Sequence, residues 1–295
     1  MIGPDLAAIV DLVRAELPGL RLDGPLARSL KCHVLAGSLD DRPVVIKWLD
    51  RPDPPWAWYF ERERRLLAAF AAAGERDVVP ELLASGPRWM ALARRPGLAL
   101  ATGRLAPDAT DSAVVAALRA RARLARTTTA WPDLPADAPT HAELRARLLE
   151  DPRDGLGWCT DGLARGAALG LIDPPDAALA IDALRAWPVL ARSHGDLLPR
   201  NVLVDGDAAH LVDLECAGDH PEAWDHALLW ANLPTGLRPL VEADFDLSTF
   251  PRRRAFWACV VFALVRETKF ARGRRLADAL RSTLRDAVIA LRAAP

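Results

Sequence analysis

The stretch from Ser193 to Glu215, SHGDLLPRNVLVDGDAAHLVDLE, places three oxygen-bearing side chains around a short hairpin. Apolar runs on both sides of Asp205-Gly206-Asp207 give the hairpin signal, since Asp-Gly between alternating apolar residues favours a tight turn. If Val204 pairs near Ala209, Asn201 falls opposite the Val212–Asp213 end of the return strand. Directly opposed β-carbons lie about 5 Å apart. One carboxylate and one amide oxygen are thereby gathered at the open end of the hairpin, with Asp196 five residues upstream of Asn201. Hard oxygen ligands of that kind suit magnesium held together with substrate phosphates. A lone Asp196 could cap a turn and a lone Asp213 could be a solvated strand end. The whole arrangement, H-x-D, four residues, Asn, hairpin and a further Asp, is harder to assign to surface chemistry.

A second pair lies upstream. Only three of the 38 basic residues are lysines, Lys31, Lys47 and Lys269, so a lysine inside the apolar strand PVVIKWL needs its own reason. On the helix predicted from Trp56, positions 60, 63, 67 and 70 share one face, which puts Glu63 on an apolar stripe with Phe60, Leu67 and Phe70. Glu61 instead falls with Arg64 and Arg65 on a charged face. A carboxylate turned toward a core is costly unless a cation meets it, and Lys47 is the obvious cation. Two other placements stay open: Lys47 as an edge-strand lysine turned to water, and Glu63 at the margin of its stripe.

Lys47, Glu63, HGDLLPRN and VDLE together resemble the aminoglycoside phosphotransferase and choline kinase-like group of the protein-kinase-like fold. His194-Gly195-Asp196 stands where protein kinases read H-R-D. The segment VDLECAGDHPEAWDHA is also similar to that group, with Gly218 and a later structural Asp, here Asp225. The resemblance spans roughly Leu26 to Leu229. It implies ATP and magnesium as cofactors. Asp196 would act as base or positioner for the substrate hydroxyl, and Asn201 and Asp213 would hold magnesium on the ATP phosphates. Lys47, fixed by Glu63, would contact the α- and β-phosphates. Glu215 would support the metal shell or face water, and His194 would serve structure.

The departures are specific. The phosphate-covering turn expected near Gly24 to Lys31, GPLARSLK, lacks G-x-G-x-x-G, leaving Ser29 and local amides as nucleotide contacts. Leu198 stands where protein kinases place a lysine two residues after the catalytic Asp, and Arg200 is either its substitute or solvated. No A-P-E follows Asp213, which argues against a phosphorylation-controlled protein kinase. A small-molecule kinase is favoured; a nucleotide-binding pseudokinase and a protein-directed kinase stay open.

For the acceptor, residues 205–250 hold ten acids and one base, Arg238, whereas residues 251–281 hold nine bases and two acids. An acidic stretch beside the catalytic loop could attract an amine-bearing alcohol, with Glu242, Asp244 and Asp246 as its contacts. The same acids could instead face water or pair with the basic helix that follows. Trp224 and Trp230 could line a site, but their helical spacing favours core.

The elements that must position these groups divide the 295 residues in two. An N-terminal helix over residues 4–17 precedes strands at 30–35 and 43–49, a helix from Trp56 to Ala73 closed by Gly74, and strands at 81–84 and 89–93. Pro96-Gly97 marks the boundary. Beyond it the chain reads as helices at 111–126, 141–149, 176–187, 256–269 and 275–292, with the hairpin embedded. The fold expected is α+β and two-lobed. A small antiparallel sheet with one helix (1–96) binds nucleotide, and a mostly helical lobe (97–295) carries the catalytic loop and acceptor site.

Composition limits the alternatives. Hydrophobic residues make up 51% and charged residues 26%, so the chain is globular. A net charge of -1 leaves no electrostatic case for binding nucleic acid or a membrane surface. The longest apolar run, Ala255–Val265, has 11 residues, short of a membrane span. Cys32, Cys159, Cys216 and Cys259 form no C-x-x-C pair, and the N-terminus carries acids where a signal peptide carries bases. A cytoplasmic protein with a small hydroxylated acceptor is the expectation.

Overall fold

The computed structural model describes residues 6–28, 31–53, 55–103, 105–127, 131–132, 155–271 and 274–294. Ser29 and the helix expected at 141–149 lie outside the described residues. The described chain resolves into two compact units, with residues up to 96 in the first and most of the remainder in the second.

In the first unit, helix α1 (Leu6–Glu16) precedes strands β1 (Leu20–Arg28), β2 (Cys32–Leu39) and β3 (Arg42–Leu49). Helix α2 (Trp56–Ala73) and strands β4 (Leu82–Ser85) and β5 (Trp89–Ala93) follow. The strands form one antiparallel sheet in the order β1-β2-β3-β5-β4. Its core follows the strand period of two: Val44, Ile46 and Trp48 of β3 pack with Leu35, Trp89 and Ala91 against Ile9 and Val13 of α1. Helix α2 ends where its sequence stops it, at Gly74 in the left-handed conformation (φ 73°), whose N–H bonds the Ala71 carbonyl.

Two expectations for this sheet are corrected. The connection between the strands expected at 30–35 and 43–49 shrinks to a two-residue turn, Asp40-Asp41, with φ of 48° and 64°. Positive φ at both central positions gives the twist a tight hairpin needs, and aspartate tolerates it. Ala36-Gly37-Ser38 has little strand propensity of its own, but β2 is paired on both sides, which overrides propensity. Likewise, residues 24–28 of the turn expected at 24–31 are strand. Gly24-Pro25 sits in β1, where register shifts between Leu22 and Gly24 and between Pro25 and Ala27 accommodate it. β1 is an edge strand, so a proline without an N–H costs the ladder little.

The second unit opens with β6 (Leu98–Ala99) and α3 (Asp111–Ala125), the latter capped by Thr110, whose hydroxyl accepts from the Ala113 N–H. Helices α4 (Gly155–Ala168) and α5 (Pro174–Ala186), strands β7 (Leu190–Ser193), β8 (Val202–Asp205), β9 (Ala208–Leu211) and β10 (Gly218–Pro221), and helices α6 (Trp224–Asn232), α7 (Arg238–Phe245), α8 (Phe250–Phe270) and α9 (Arg274–Ala293) complete it. The hairpin forms in the expected register, with Val204 opposite Ala209, and β6 adds a third strand to it. β7 pairs with β10, a ladder too short for its sequence to announce. Helix α8 is the centre of this unit and packs against α4, α5, α6 and α9. Its apolar run is buried from Ala258 to Val265, as core. Among the described residues, no helix is long and apolar enough to cross a membrane.

One glycine tests the sheet. A β-carbon at Gly37 would come within 2.3 Å of the Arg21 carbonyl oxygen on β1. Gly37→Ala is expected to cost about 1–3 kcal/mol through overpacking. It should lower the thermal unfolding midpoint by several degrees, measured by calorimetry.

Candidate active site

The first unit supplies a buried ion pair. Strand alternation turns Lys47 to the face of β3 opposite Ile46 and Trp48. There its Nζ donates to Glu63 Oε2 at 2.5 Å. Both are buried, Lys47 at 8% and Glu63 at 1% exposure. Glu63 shares its helix face with Phe60, Leu67 and Phe70, all buried, while Glu61 bonds Arg64 and Arg65 outside. The solvent-facing placements for Lys47 and Glu63 are thereby excluded.

The second unit builds the His194-Gly195-Asp196 loop from its backbone outward. The turn after β7 buries the N–H groups of His194 and Gly195, and the Asp225 carboxylate accepts both, at 2.7 and 3.0 Å. Gly195 takes φ 80°, and a β-carbon there would meet the Cys216 carbonyl oxygen at 2.0 Å, so no other residue fits. The Trp224 indole N–H donates to the Gly195 carbonyl at 2.8 Å. His194 is fully buried, with Nε2 2.9 Å from the Val212 carbonyl and Nδ1 3.3 Å from the Asp196 N–H. A carbonyl only accepts and an amide N–H only donates, so the ring is the neutral Nε2–H tautomer with both nitrogens engaged. It ties the loop to the end of the hairpin.

Asp196 is 6% exposed. Its Oδ1 accepts from Arg266 Nη2 at 2.9 Å and its Oδ2 from Asn201 Nδ2 at 3.2 Å. Arg200 stands at 3.5 Å from Oδ2. Burial by itself pushes the Asp196 carboxyl up. The Arg266 guanidinium, helped by Arg200, outweighs burial and the opposing charge of Asp213, and holds the group below the usual carboxylate range. Asn201 also donates to the Asp196 carbonyl at 2.8 Å, so its amide nitrogen is committed and its oxygen is the atom left to accept. The Val212 N–H bonds the Asn201 carbonyl at 3.0 Å, which brings Asn201 to the Asp213 end of the hairpin as its spacing required. Asp213 itself adopts the left-handed conformation, φ 66° and ψ 59°.

The acidic residues considered for the acceptor are occupied elsewhere. Glu242 accepts from the Trp230 indole at 2.8 Å, and Asp244 meets His226 Nε2 at 2.9 Å. Asp246 follows α7, accepts from the Ser248 N–H and pairs with Arg252. Among the described residues, none of the three bonds the His194-Gly195-Asp196 loop.

Arg266 went unnoticed in the sequence. It sits 70 residues from Asp196 on a helix that reads as core, and nothing in local spacing marks it. The only signal was an arginine interrupting the apolar face of that helix.

The chain matches a family model described as the phosphotransferase enzyme family over residues 36–257. The chain belongs to the phosphotransferase enzyme family. No curated protein sequence matches it. Among solved structures, the phosphotransferase is similar to a macrolide 2'-phosphotransferase from Brachybacterium faecium, at 22% identity over 98% of each chain with a TM-score of 0.60. A choline/ethanolamine kinase family protein from Mesorhizobium loti is 17% identical over 96% of this chain and 99% of that one, with a TM-score of 0.61. An aminoglycoside phosphotransferase in ternary complex with ADP and hygromycin B is 17% identical, over 96% and 98%, with a TM-score of 0.59. These likenesses establish the protein-kinase-like α+β fold expected from the sequence. Family membership makes this chain a phosphotransferase.

The Lys47–Glu63 pair makes a stability prediction. Glu63→Gln takes the Glu63 counter-charge from a buried ammonium and is expected to cost on the order of 3 kcal/mol. The double replacement Lys47→Met, Glu63→Leu removes both charges and should cost clearly less. Urea unfolding of the three proteins checks the ordering.

Proposed function

We propose that this phosphotransferase moves the γ-phosphate of ATP to a hydroxyl of a small molecule, with magnesium. The observation that supports it best is the Asp196–Asn201–Asp213 arrangement: a buried, ionised carboxylate beside an amide whose oxygen is left to accept, at the end of a hairpin closed by a second carboxylate. The donor set is all oxygen, and the amide is oriented by its own hydrogen bonds, which fits a hard divalent ion. Asn201 and Asp213 would hold that ion, and when bound it neutralises charge on the phosphate oxygens.

The chain's own residues do the remainder. Lys47, braced by Glu63, is suited to an anionic phosphate because its charge is desolvated and its position fixed. Asp196 accepts a hydrogen bond from the acceptor hydroxyl and aims its oxygen at the phosphorus. Held ionised by Arg266, it is a weak base, so alignment is its main contribution, with the proton taken up late. A loose transition state asks for little more than such alignment and charge neutralisation. His194, neutral and doubly bonded, supplies loop geometry and no proton.

The acceptor class follows the relatives: macrolides, aminoglycosides such as hygromycin B, choline and ethanolamine form the panel to assay. Charge attraction by Glu242, Asp244 and Asp246 is a weak guide to an amine-bearing acceptor, since each acid already has an internal partner.

Asp196→Asn is expected to lower kcat by roughly 10²–10⁴-fold. Its magnesium–ATP affinity should stay near that of the unaltered protein, and Asp213→Ala should lose magnesium-dependent ATP binding. Coupled assays over the panel and titration calorimetry with ATP, with and without magnesium, check both. Transfer by Asp196→Asn at the unaltered rate would overturn the assignment.

A further inference from the structure

Arg266 reaches Asp196 by a built route. Helix α4 carries Gly162 and Gly166 one turn apart. A β-carbon at Gly162 would come within 2.2 Å of the Phe262 ring, and one at Gly166 within 2.5 Å of the Val265 side chain. Helix α8 therefore lies against α4 at a separation that larger residues would not permit. One turn beyond Phe262, the Arg266 guanidinium lies 5.6 Å from the ring centroid of Trp158 on α4. Trp158 meets Trp224 edge-on at 4.8 Å and Phe262 at 5.3 Å. Trp224 in turn holds the catalytic loop through the Gly195 carbonyl. One aromatic cluster thus braces both partners, the guanidinium through Trp158 and the loop through Trp224.

The consequence falls on the Asp196 carboxylate. The terminal torsion of an aspartate is broad and roughly two-fold, so one hydrogen bond does not define the plane of its oxygens. Two anchors on opposite oxygens do, and here Arg266 takes Oδ1 while Asn201 takes Oδ2. The loop does not supply the first anchor itself. Leu198 is fully buried, and Arg200 stands off at 3.5 Å with a 39% exposed side chain.

We propose that Arg266 is a positioning residue for phosphoryl transfer, fixing the plane of the Asp196 carboxylate toward the acceptor hydroxyl. This rests on the phosphotransfer reading above. Losing one anchor lets the oxygens swing by a fraction of an ångström to an ångström, a displacement that costs about 10²-fold in rate. The nucleotide is not held by this carboxylate, so its binding should not move.

Arg266→Met, Arg266→Lys and Arg266→Ala, assayed with magnesium–ATP over the same acceptor panel and with water, separate the possibilities. Arg266→Met is expected to lower kcat about 10²-fold with the KM for ATP within about twofold, and to lower the unfolding midpoint because the buried Asp196 carboxylate loses its counter-charge. Guanidinium chloride at millimolar concentration should restore part of the Arg266→Ala rate and none of the Asp196→Asn rate. A merely structural arginine would show neither the kcat-only loss nor the rescue. Should Arg266→Met fail to fold, Arg266→Lys carries the test, since it keeps the charge and loses the planar fork. Its kcat should fall about tenfold, and an unchanged kcat would overturn the proposal. An unaltered protein inert toward every acceptor and water sinks the phosphotransfer reading, and this inference with it. Turnover by the unaltered protein that Arg266→Met matches sinks the inference alone.

Discussion

Two backbone N–H groups buried away from water, those of His194 and Gly195, require an acceptor, and the second unit is organised around the carboxylate that provides it. Asp225 is fully buried and would be costly there alone. Bonds from both amides and the Arg121 guanidinium at 4.0 Å offset that cost. With Asp225 beneath the turn and the Trp224 indole on the Gly195 carbonyl, both polar faces of the turn are satisfied from the first two residues of α6. The left-handed Gly195 then has one conformation open to it, and the side chain after it, Asp196, is delivered to one place. His194 repeats the logic toward the hairpin by bonding the Val212 carbonyl.

Helix α8 extends this constraint across the unit. Its apolar residues form the core that α4, α5, α6 and α9 pack against, and its Arg266 reaches from that core to the Asp196 carboxylate. An arginine can do this where a lysine would not. Its guanidinium lies over the Trp158 ring while a fork N–H still reaches Oδ1. In the first unit the logic is simpler. A single lysine on the inner face of β3 and a single glutamate on the inner stripe of α2 pair, and each charge offsets the cost of burying the other.

Local rules read much of this correctly where the period was clear. The α2 boundaries, the β5 boundaries, the hairpin register at Val204–Ala209 and the placement of Glu63 all follow from periods of 3.6 and 2. They failed where pairing supplied what composition did not. β1 contains Gly24-Pro25 and reads as a turn, but an edge strand tolerates both through shifts in register. The β7–β10 ladder joins short segments that flank the hairpin. Glu242, Asp244 and Asp246 read as an acidic run open to an acceptor, to water or to the basic helix, because a sequence counts charges and does not count their partners. The indole of Trp230, the His226 ring and the Arg252 guanidinium were the missing half.

By itself the sequence determined the chemistry that short spacing can carry: a tethered lysine, an Asp-x4-Asn loop, a hairpin ending in a second aspartate, and with them the family. Tertiary structure alone decided which buried charge meets which. Arg266 on Asp196, 70 residues apart, and Asp225 under His194 and Gly195, about 30 apart, are pairings that no local period encodes. The first depends on how closely α4 and α8 approach, a distance set by the glycines of α4 against Phe262 and Val265, and the second on α6 starting beneath the turn after β7.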